Sequence, residues 1–334
     1  MHTFQFTRPG DIDEAIAATA PATTTPTGTV IRIIAGGTTL IDLMKLNVEQ
    51  PDTLVDINHL PLAQIEVLPE GGLKLGALVR NSDLAHHAAV QRDYPVLSQA
   101  LLSGASAQLR NKATTSGNLL QRTRCIYFRD TAMPCNKREP ETGCPAINGV
   151  NRMMAILGTS EHCIASNPSD MNVALTALEA TIHIQNAQGV RSVPINEFYL
   201  LPGDTPQRET VLEPGDLITH VTLPAPVNGN KSLYLKLRDR ASYEFALASA
   251  AVIAKTEDNR LTHVRIALGG VGARPWRSLK AEQVLTGTTL GETNFRKAAE
   301  AALQGARPQS QNGFKVELAK RCLTHALRLV TQTT

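Results

Sequence analysis

The sequence has few charged residues, and it contains neither a long basic segment nor a long apolar one. Charged residues make up 19% of its 334 residues, below the usual share of about a quarter. The net charge of +3 comes without a block of lysine and arginine, and this argues against nucleic-acid binding, which needs such a block. No apolar run approaches the ~20 residues of a bilayer span, so we expect no membrane insertion. The first residues also lack the basic head and apolar stretch of a signal peptide, so we expect no export signal within this chain.

The common fingerprints of phosphate sites are missing as well. The chain has neither three spaced glycines nor a P-loop lysine. It has instead a glycine turn, Gly36-Gly37, after an apolar run at 30–34 that predicts a strand and before a helical pattern that begins at Leu40. Free backbone N–H groups at such a turn can bind a phosphate at the start of the helix. An ordinary tight turn is the alternative.

A second polar segment offers hydrogen-bonding groups for the same kind of ligand. Residues 114–118 (TTSGN) supply three hydroxyls, an amide and a glycine, which can satisfy phosphate or ribose oxygens. A polar turn without a ligand is the alternative. Further along, Ser169 and Asp170 precede an apolar run and predict the start of a helix.

Four of the five cysteines lie within one irregular segment: Cys125, Cys135, Cys144 and Cys163. Four thiolates are the ligand count of a cubane iron–sulfur cluster. Structural zinc sites also take four cysteines, but usually in pairs two to four residues apart, and no such pair occurs here. Disulfides or free thiols are the remaining alternative, although a chain of this size does not need disulfides. The fifth, Cys322, falls in a helical apolar pattern and is predicted to be a core residue.

The length of the segment around the four cysteines also favours a metal cluster. A loop of roughly 40 residues inside a compact domain is disordered unless something fixes its structure. A metal cluster bound by the cysteines would do so. Five basic residues crowd this loop, where they either offset an anionic cluster, face a partner or form a solvated surface: Arg122, Arg124, Arg129, Lys137 and Arg138.

The pattern of elements changes after the proline-rich residues 224–226. Three strands are predicted there, at 233–237, 245–254 and 261–271, and three helices follow them. A meander followed by helices indicates a separate α+β unit with a three-stranded antiparallel sheet. The predicted organisation is a first domain at 1–227, with subdomains at about 1–57 and 58–227 and an insertion at about 121–165, and a second domain at 228–334.

Taken in order, these motifs resemble the flavin subunits of the xanthine dehydrogenase, or molybdenum hydroxylase, family. The matching segments are 34–40 (IAGGTTL), 108–111 (QLRN), 114–119 (TTSGNL), 168–171 (PSDM), 214–218 (PGDLI) and 234–236 (YLK). Each motif is weak alone, but their order is specific and the resemblance covers nearly the whole chain. It implies an α+β protein whose first domain has the FAD-binding fold of the vanillyl-alcohol-oxidase type. The sequence departs from the pattern at Ser116, where a glycine often stands.

The cysteine segment resembles particular members of this family. The segment from 121–125 (QRTRC) through 162–165 (HCIA) resembles the flavin subunit of bacterial periplasmic aldehyde oxidoreductases. The flavin subunit of 4-hydroxybenzoyl-CoA reductase is similar in carrying a 4Fe–4S cluster on an insertion. The resemblance implies that the four clustered cysteines bind one 4Fe–4S cluster.

FAD is the second cofactor that the resemblance implies. Nine residues would wrap its pyrophosphate with backbone N–H groups: Arg32, Ile33, Ile34, Ala35, Gly36, Gly37, Thr38, Thr39 and Leu40. Thr114, Gly117 and Asn118 would bind its phosphate and ribose side. Asp170 would accept hydrogen bonds from a ribitol or ribose hydroxyl, with a plain helix cap as the simpler role. Lys236 would lie near the flavin, with an exposed strand lysine as the alternative.

The implied function is electron transfer, without a proton-transferring catalytic residue in this chain. A large molybdenum-cofactor subunit would oxidise the organic substrate, and a small subunit would pass electrons through 2Fe–2S clusters. FAD would deliver them to an external acceptor, for which a protein, a quinone or oxygen is favoured. The alternatives are a stand-alone flavin oxidoreductase and a zinc-stabilised scaffold without redox activity. The resemblance favours a periplasmic complex, reached by co-export with a signal-bearing partner, over a cytoplasmic one.

Overall fold

A small parallel sheet forms the first part of the chain in the computed structural model, which describes residues 1–20 and 30–332. Its strands β1 (Gln5–Thr7), β2 (Ile31–Ile34) and β3 (Thr53–Asp56) are ordered β1-β3-β2. Helix α1 (Ile12–Thr19) is capped by Asp11, which accepts a hydrogen bond from the Glu14 N–H at 2.8 Å. Helix α2 (Leu40–Lys45) follows the glycine turn directly. The strand, glycine turn and helix therefore occur in the predicted order.

A five-stranded antiparallel sheet and eight short helices make up the next part of the described chain. The strands are β4 (Ile65–Val67), β5 (Leu73–Gly76), β6 (Thr181–Asn186), β7 (Gly189–Pro194) and β8 (Leu217–Leu223), ordered β4-β5-β8-β6-β7. The helices are α3 (Asn81–His86), α4 (Ala88–Asp93), α5 (Pro95–Ser103), α6 (Ala107–Arg110), α7 (Thr115–Leu119), α8 (Ile126–Arg129), α9 (Asp170–Ala177) and α10 (Ile195–Phe198). All eight residues of α9 are buried, which makes this helix the centre of the domain.

The last part of the chain is an antiparallel sheet covered by helices. Its strands β9 (Lys231–Leu237), β10 (Ala248–Glu257), β11 (Arg260–Gly269) and β12 (Trp276–Arg277) are ordered β12-β11-β10-β9, and α11 (Leu279–Leu285), α12 (Glu292–Ala302) and α13 (Phe314–Thr331) follow. The three predicted strands are present, and β12 adds a fourth of only two residues. Residue 227, the predicted boundary, lies in the connection between β8 and β9. None of the described helices has both the length and the hydrophobicity that a bilayer span requires.

The segment between α7 and α9 makes backbone hydrogen bonds within itself and to residues distant in the chain. Apart from the single turn of α8, it contains no helix and no strand. The N–H groups of Ile156 and Leu157 both donate to the Val271 carbonyl, at 2.8 and 3.0 Å. The Arg307 N–H donates to the Ile156 carbonyl at 2.7 Å. The insertion is therefore joined to the C-terminal domain by backbone hydrogen bonds.

Candidate functional site

The glycine turn lies close against another backbone segment. A Cβ atom at Gly36 would lie 2.2 Å from the Lys112 carbonyl oxygen and 3.0 Å from the Ala113 Cα. Gly37 has a φ of +73°, a conformation that favours glycine. Only glycine fits at Gly36 without moving backbone, so the turn and residues 112–113 are fixed against each other.

This contact brings two of the predicted binding segments to one cavity of about 630 Å³. All nine predicted residues from Arg32 to Leu40 line it, together with Thr114, Ser116 and Gly117. Asn118 is not among the lining residues, and its Oδ1 instead accepts a hydrogen bond from Ser169 Oγ at 2.8 Å. Residues 214–218 line the same cavity. These five residues carry part of the family resemblance, but their sequence alone did not indicate a binding role.

The hydroxyl groups of α7 are largely used within the protein. Thr114 Oγ1 caps α7 by accepting a hydrogen bond from the Gly117 N–H at 3.2 Å. Thr115 and Ser116 donate to the carbonyls of Val79 and Ala77, at 3.2 and 2.9 Å. On the α7 side, the cavity therefore offers a ligand mainly backbone groups, which can bind a phosphate.

Asp170 and Lys236 form a buried pair away from this cavity. Lys236 Nζ lies 2.8 Å from Asp170 Oδ2, and the Lys236 side chain is only 4% exposed, so it is not an exposed strand lysine. The Tyr234 hydroxyl donates to Asp170 Oδ1 at 2.5 Å, and burial holds the pKa of Tyr234 well above its usual value. The helix cap is Ser169, whose Oγ accepts the Asn172 N–H at 3.1 Å. Asp170 instead lines a second cavity, of about 160 Å³, together with Cys125.

The four clustered cysteines pack into one small hydrophobic core. Cys125, Cys135 and Cys163 are buried there with Phe128 and Met154, and Cys144 packs against them. None of the five cysteines, all of which lie in the described residues, forms a disulfide. Burial, together with charge repulsion from the Cys135 and Cys163 thiols, raises the pKa of Cys125 to about 11. The four cysteine side chains are therefore enclosed together in one core.

Backbone N–H groups point at these sulfur atoms. The Ala165 N–H donates to Cys163 Sγ at 3.5 Å. Those of Tyr127 and Phe128 favour the thiolate of Cys125 in the same way. Within the described residues, no three His, Cys, Asp or Glu side chains are arranged to hold a metal ion. The insertion thus contains four thiols with N–H donors around them, but their side chains are not arranged to hold a single metal ion.

An ion network links this insertion to the strand that precedes the glycine turn. Arg122 contacts Glu49 at 2.5 Å and Glu209 at 2.8 Å. Glu49 also contacts Arg32 of β2 at 2.9 Å, and Glu209 contacts Lys137 at 2.9 Å. Although burial opposes ionisation, Arg122 and Lys137 hold the pKa of Glu209 below its usual value. The network thus joins the flank of the cavity to a residue two positions after Cys135.

The arginines Arg124, Arg129 and Arg138 also have partners within the protein. Arg124 and Arg129 both pair with Asp42, at 3.3 and 2.8 Å. Arg138 donates to the carbonyls of Tyr127 and Phe128, at 3.0 and 2.8 Å. Four of the five basic residues therefore pair with residues outside the insertion and one with residues inside it, and they do not form a freely solvated basic loop.

Replacing Arg122 by methionine is expected to lower the free energy of unfolding by about 2 kcal/mol. The change leaves two carboxylates with one cation each, so the loss is smaller than the 3–5 kcal/mol of a fully buried pair. Chemical denaturation measures it. Arg321→Met, which removes an exposed pair with Glu317, is the control and should leave the midpoint unchanged. Equal effects of the two changes would contradict the assigned role of Arg122.

Two family models together match most of the chain. The model described as the FAD-binding domain in molybdopterin dehydrogenase matches residues 2–226. The model described as the CO dehydrogenase flavoprotein C-terminal domain matches residues 233–330.

Individual relatives agree with these models. The chain is 51% identical over 297 residues to the aldehyde oxidoreductase FAD-binding subunit PaoB of Escherichia coli K12, covering 89% of this chain and 90% of that protein. It is 28% identical to the glyceraldehyde dehydrogenase medium chain of Sulfolobus acidocaldarius, covering 84% and 82%.

A solved structure shows the same fold. The carbon monoxide dehydrogenase of Hydrogenophaga pseudoflava matches with a TM-score of 0.76 at 24% identity, over 98% of this chain and 97% of that chain. The predicted fold, an FAD-binding α+β domain followed by an antiparallel sheet with helices, is thereby confirmed. The chain belongs to the FAD-binding subunits of the molybdenum hydroxylase family, a family of oxidoreductase complexes.

Proposed function

We propose that this chain binds one 4Fe–4S cluster as well as FAD, and passes electrons from molybdenum and 2Fe–2S subunits of an aldehyde oxidoreductase to an external acceptor. The observation that carries the proposal is the convergence of four cysteines in one small core, in a chain whose first 226 residues match an FAD-binding domain.

The residues present fit FAD. The 630 Å³ cavity has the glycine turn at one wall and residues 214–218 at another. The close approach of Lys112 to Gly36 fixes the turn, and the backbone N–H groups of such a turn can bind a pyrophosphate. When bound, FAD supplies the ability to collect electrons and release them to an acceptor. The chain's own task is to hold and orient the cofactor.

The residues also fit an iron–sulfur cluster. Its donor set is four cysteine thiolates, and N–H groups donating to the sulfurs are among the features that set its potential. Both are present around Cys125 and Cys163. Zn–S bonds of about 2.3 Å bring four sulfurs to within roughly 4 Å of one another, whereas a four-iron cluster spreads them wider. The absence of a single-ion arrangement in the described residues is therefore compatible with a cluster.

The proposed substrate class and partners follow from the relatives. The E. coli relative is named as the FAD-binding subunit of an aldehyde oxidoreductase, and other relatives are named as medium chains. We propose a large subunit with the molybdenum cofactor, a small subunit with 2Fe–2S clusters, and a protein, quinone or oxygen as acceptor. We further propose that the complex is periplasmic, by co-export with a signal-bearing partner.

The test is an absorption spectrum of the anaerobically purified protein, with flavin, iron and zinc assays on the same sample. We expect one FAD and about four irons per chain, the content of one cubane. Flavin without iron would remove the cluster from the proposal and leave an ordinary member of the family. Aldehyde oxidation by this chain without partner subunits would support a stand-alone enzyme, and zinc without flavin would support a scaffold.

A further inference from the structure

Lys315, at the start of α13, is fully buried. Its Nζ donates to three backbone carbonyls: Met153 at 3.2 Å, Met154 at 3.0 Å and Gly270 at 2.6 Å. The described residues provide no carboxylate partner within ion-pair distance of it. A buried ammonium held only by carbonyls is costly, so an explanation beyond packing is required.

The three carbonyls belong to the wall beside the cysteines. Met153 and Met154 lie in the insertion between Cys144 and Cys163, and the next residue, Ala155, donates its N–H to the carbonyl of Ile164 at 2.9 Å. Met154 packs in the same core as the four cysteines. Lys315 therefore holds the segment that runs alongside Cys163.

The same carbonyl-bearing residues face the smaller cavity. Met153, Met154 and Gly270 line the 160 Å³ space, whose wall also contains Cys125 and Asp170. Because Gly270 follows β11, the lysine joins the insertion to the C-terminal sheet. Its Nζ contacts the carbonyls of three residues that line the same cavity as Cys125.

The hydrogen bonds of Lys315 match its charged form. Burial, and to a smaller degree the charge of Arg152, lowers the pKa of Lys315 to about 7. An ammonium has three N–H groups for the three carbonyls, whereas a neutral amine would turn a lone pair toward one carbonyl oxygen. The carbonyl cage thus opposes the effect of burial, and the charged form predominates below about pH 7.

We propose that Lys315 is a positioning residue that fixes the insertion to the C-terminal domain, and that its buried positive charge raises the reduction potential of the iron–sulfur cluster. The inference rests on the proposed function. Reduction adds negative charge to the cluster, and a nearby cation in a low-dielectric interior stabilises that charge. Solvent cannot screen this effect as it does at the surface.

Lys315→Gln and Lys315→Met test the proposal in the purified full-length protein. Both remove the charge, while glutamine keeps part of the hydrogen bonding. We expect both to lower the cluster potential, measured by spectroelectrochemical titration, by at least 59 mV, which is a tenfold change for a one-electron centre. Thermal unfolding should show a larger stability loss for methionine than for glutamine.

Arg152→Gln is the matched control. Arg152 is half-exposed and paired with Asp239, so its loss should shift the potential much less. An iron-replete Lys315→Gln variant with the wild-type potential would overturn the charge effect. Wild-type protein without iron would instead refute the proposed function, before any variant is compared.

A second variant keeps the test decisive if the neutral variants do not fold. Asn312 is buried, and its Nδ2 donates to the Met154 carbonyl at 3.4 Å, the same oxygen that Lys315 contacts. Asn312→Asp places a carboxylate beside the retained ammonium of Lys315. The negative charge opposes the effect of the ammonium on the cluster. We expect a lowered potential at full iron content. An unchanged potential would count against the proposal.

Discussion

Replacing Cys135 by serine is expected to lower the iron content from about four to less than one per chain. Cys135 is buried in the core that the four cysteines share. Its N–H donates to Thr142 Oγ1 at 3.0 Å, and its carbonyl accepts the N–H groups of Arg138 and Glu139. The position of the sulfur is therefore set by the local backbone, and no neighbouring cysteine can replace it. Iron analysis and the visible spectrum of the anaerobic protein measure the loss.

The flavin content should not change in this variant. The glycine-turn cavity is lined by none of the four cysteines, so FAD binding does not depend on them directly. A variant that loses flavin and iron together would show that the insertion is needed to fold the flavin site.

Cys322 provides the matched control. It is equally buried, but it lies in α13 with its sulfur 3.9 Å from the Leu235 carbonyl, and burial raises its pKa to about 12. Cys322→Ser should cost about 1–2 kcal/mol of stability through burial of a hydroxyl and retain all the iron. Equal iron in the two variants would contradict the assignment of Cys135 as a ligand.

Replacing Gly36 by alanine is expected to weaken FAD binding by about tenfold to a hundredfold. The new Cβ would meet backbone atoms of residues 112–113, which cannot move aside as a flexible side chain can. Overpacking of this kind typically costs about 1–3 kcal/mol. The turn must shift, and its N–H groups then no longer converge on one phosphate. Flavin titration of the apoprotein measures the affinity.

Gly291→Ala is the control for this change. Gly291 precedes α12 in an extended conformation, and a Cβ there would meet no atom within 4 Å. FAD affinity and stability should both stay at the wild-type level. A Gly36→Ala variant with full affinity would show that the pyrophosphate does not bind at this turn.

Features with a local cause were predictable from the sequence. The caps by Asp11 and Ser169 each depend on residues within a few positions of one another, and the glycine turn is visible in the adjacent residues Gly36 and Gly37. The four cysteines were recognisable as one group because they occur in a single segment. Their enclosure in a common core agrees with that interpretation.

Features that join distant residues were not predictable. Glu49 and Glu209 are 73 and 87 positions from Arg122, and nothing in either neighbourhood indicates the pairing. The two-residue strand β12 is too short to show an alternating pattern. Lys315 has the sequence context of an ordinary surface lysine, and its burial becomes visible only when α13 is packed against the insertion.

The hydrogen bonds between the insertion and the C-terminal domain constrain the order of events during synthesis. Ile156 and Leu157 bond to Val271, and Ile156 also bonds to Arg307, so their partners leave the ribosome more than a hundred residues later. Domains generally fold in the order in which they are made. The glycine-turn cleft can therefore form while translation continues, whereas the cysteine segment reaches its final arrangement only after the chain is nearly complete. We therefore expect the cysteine segment to become fully ordered later than the cleft at the glycine turn.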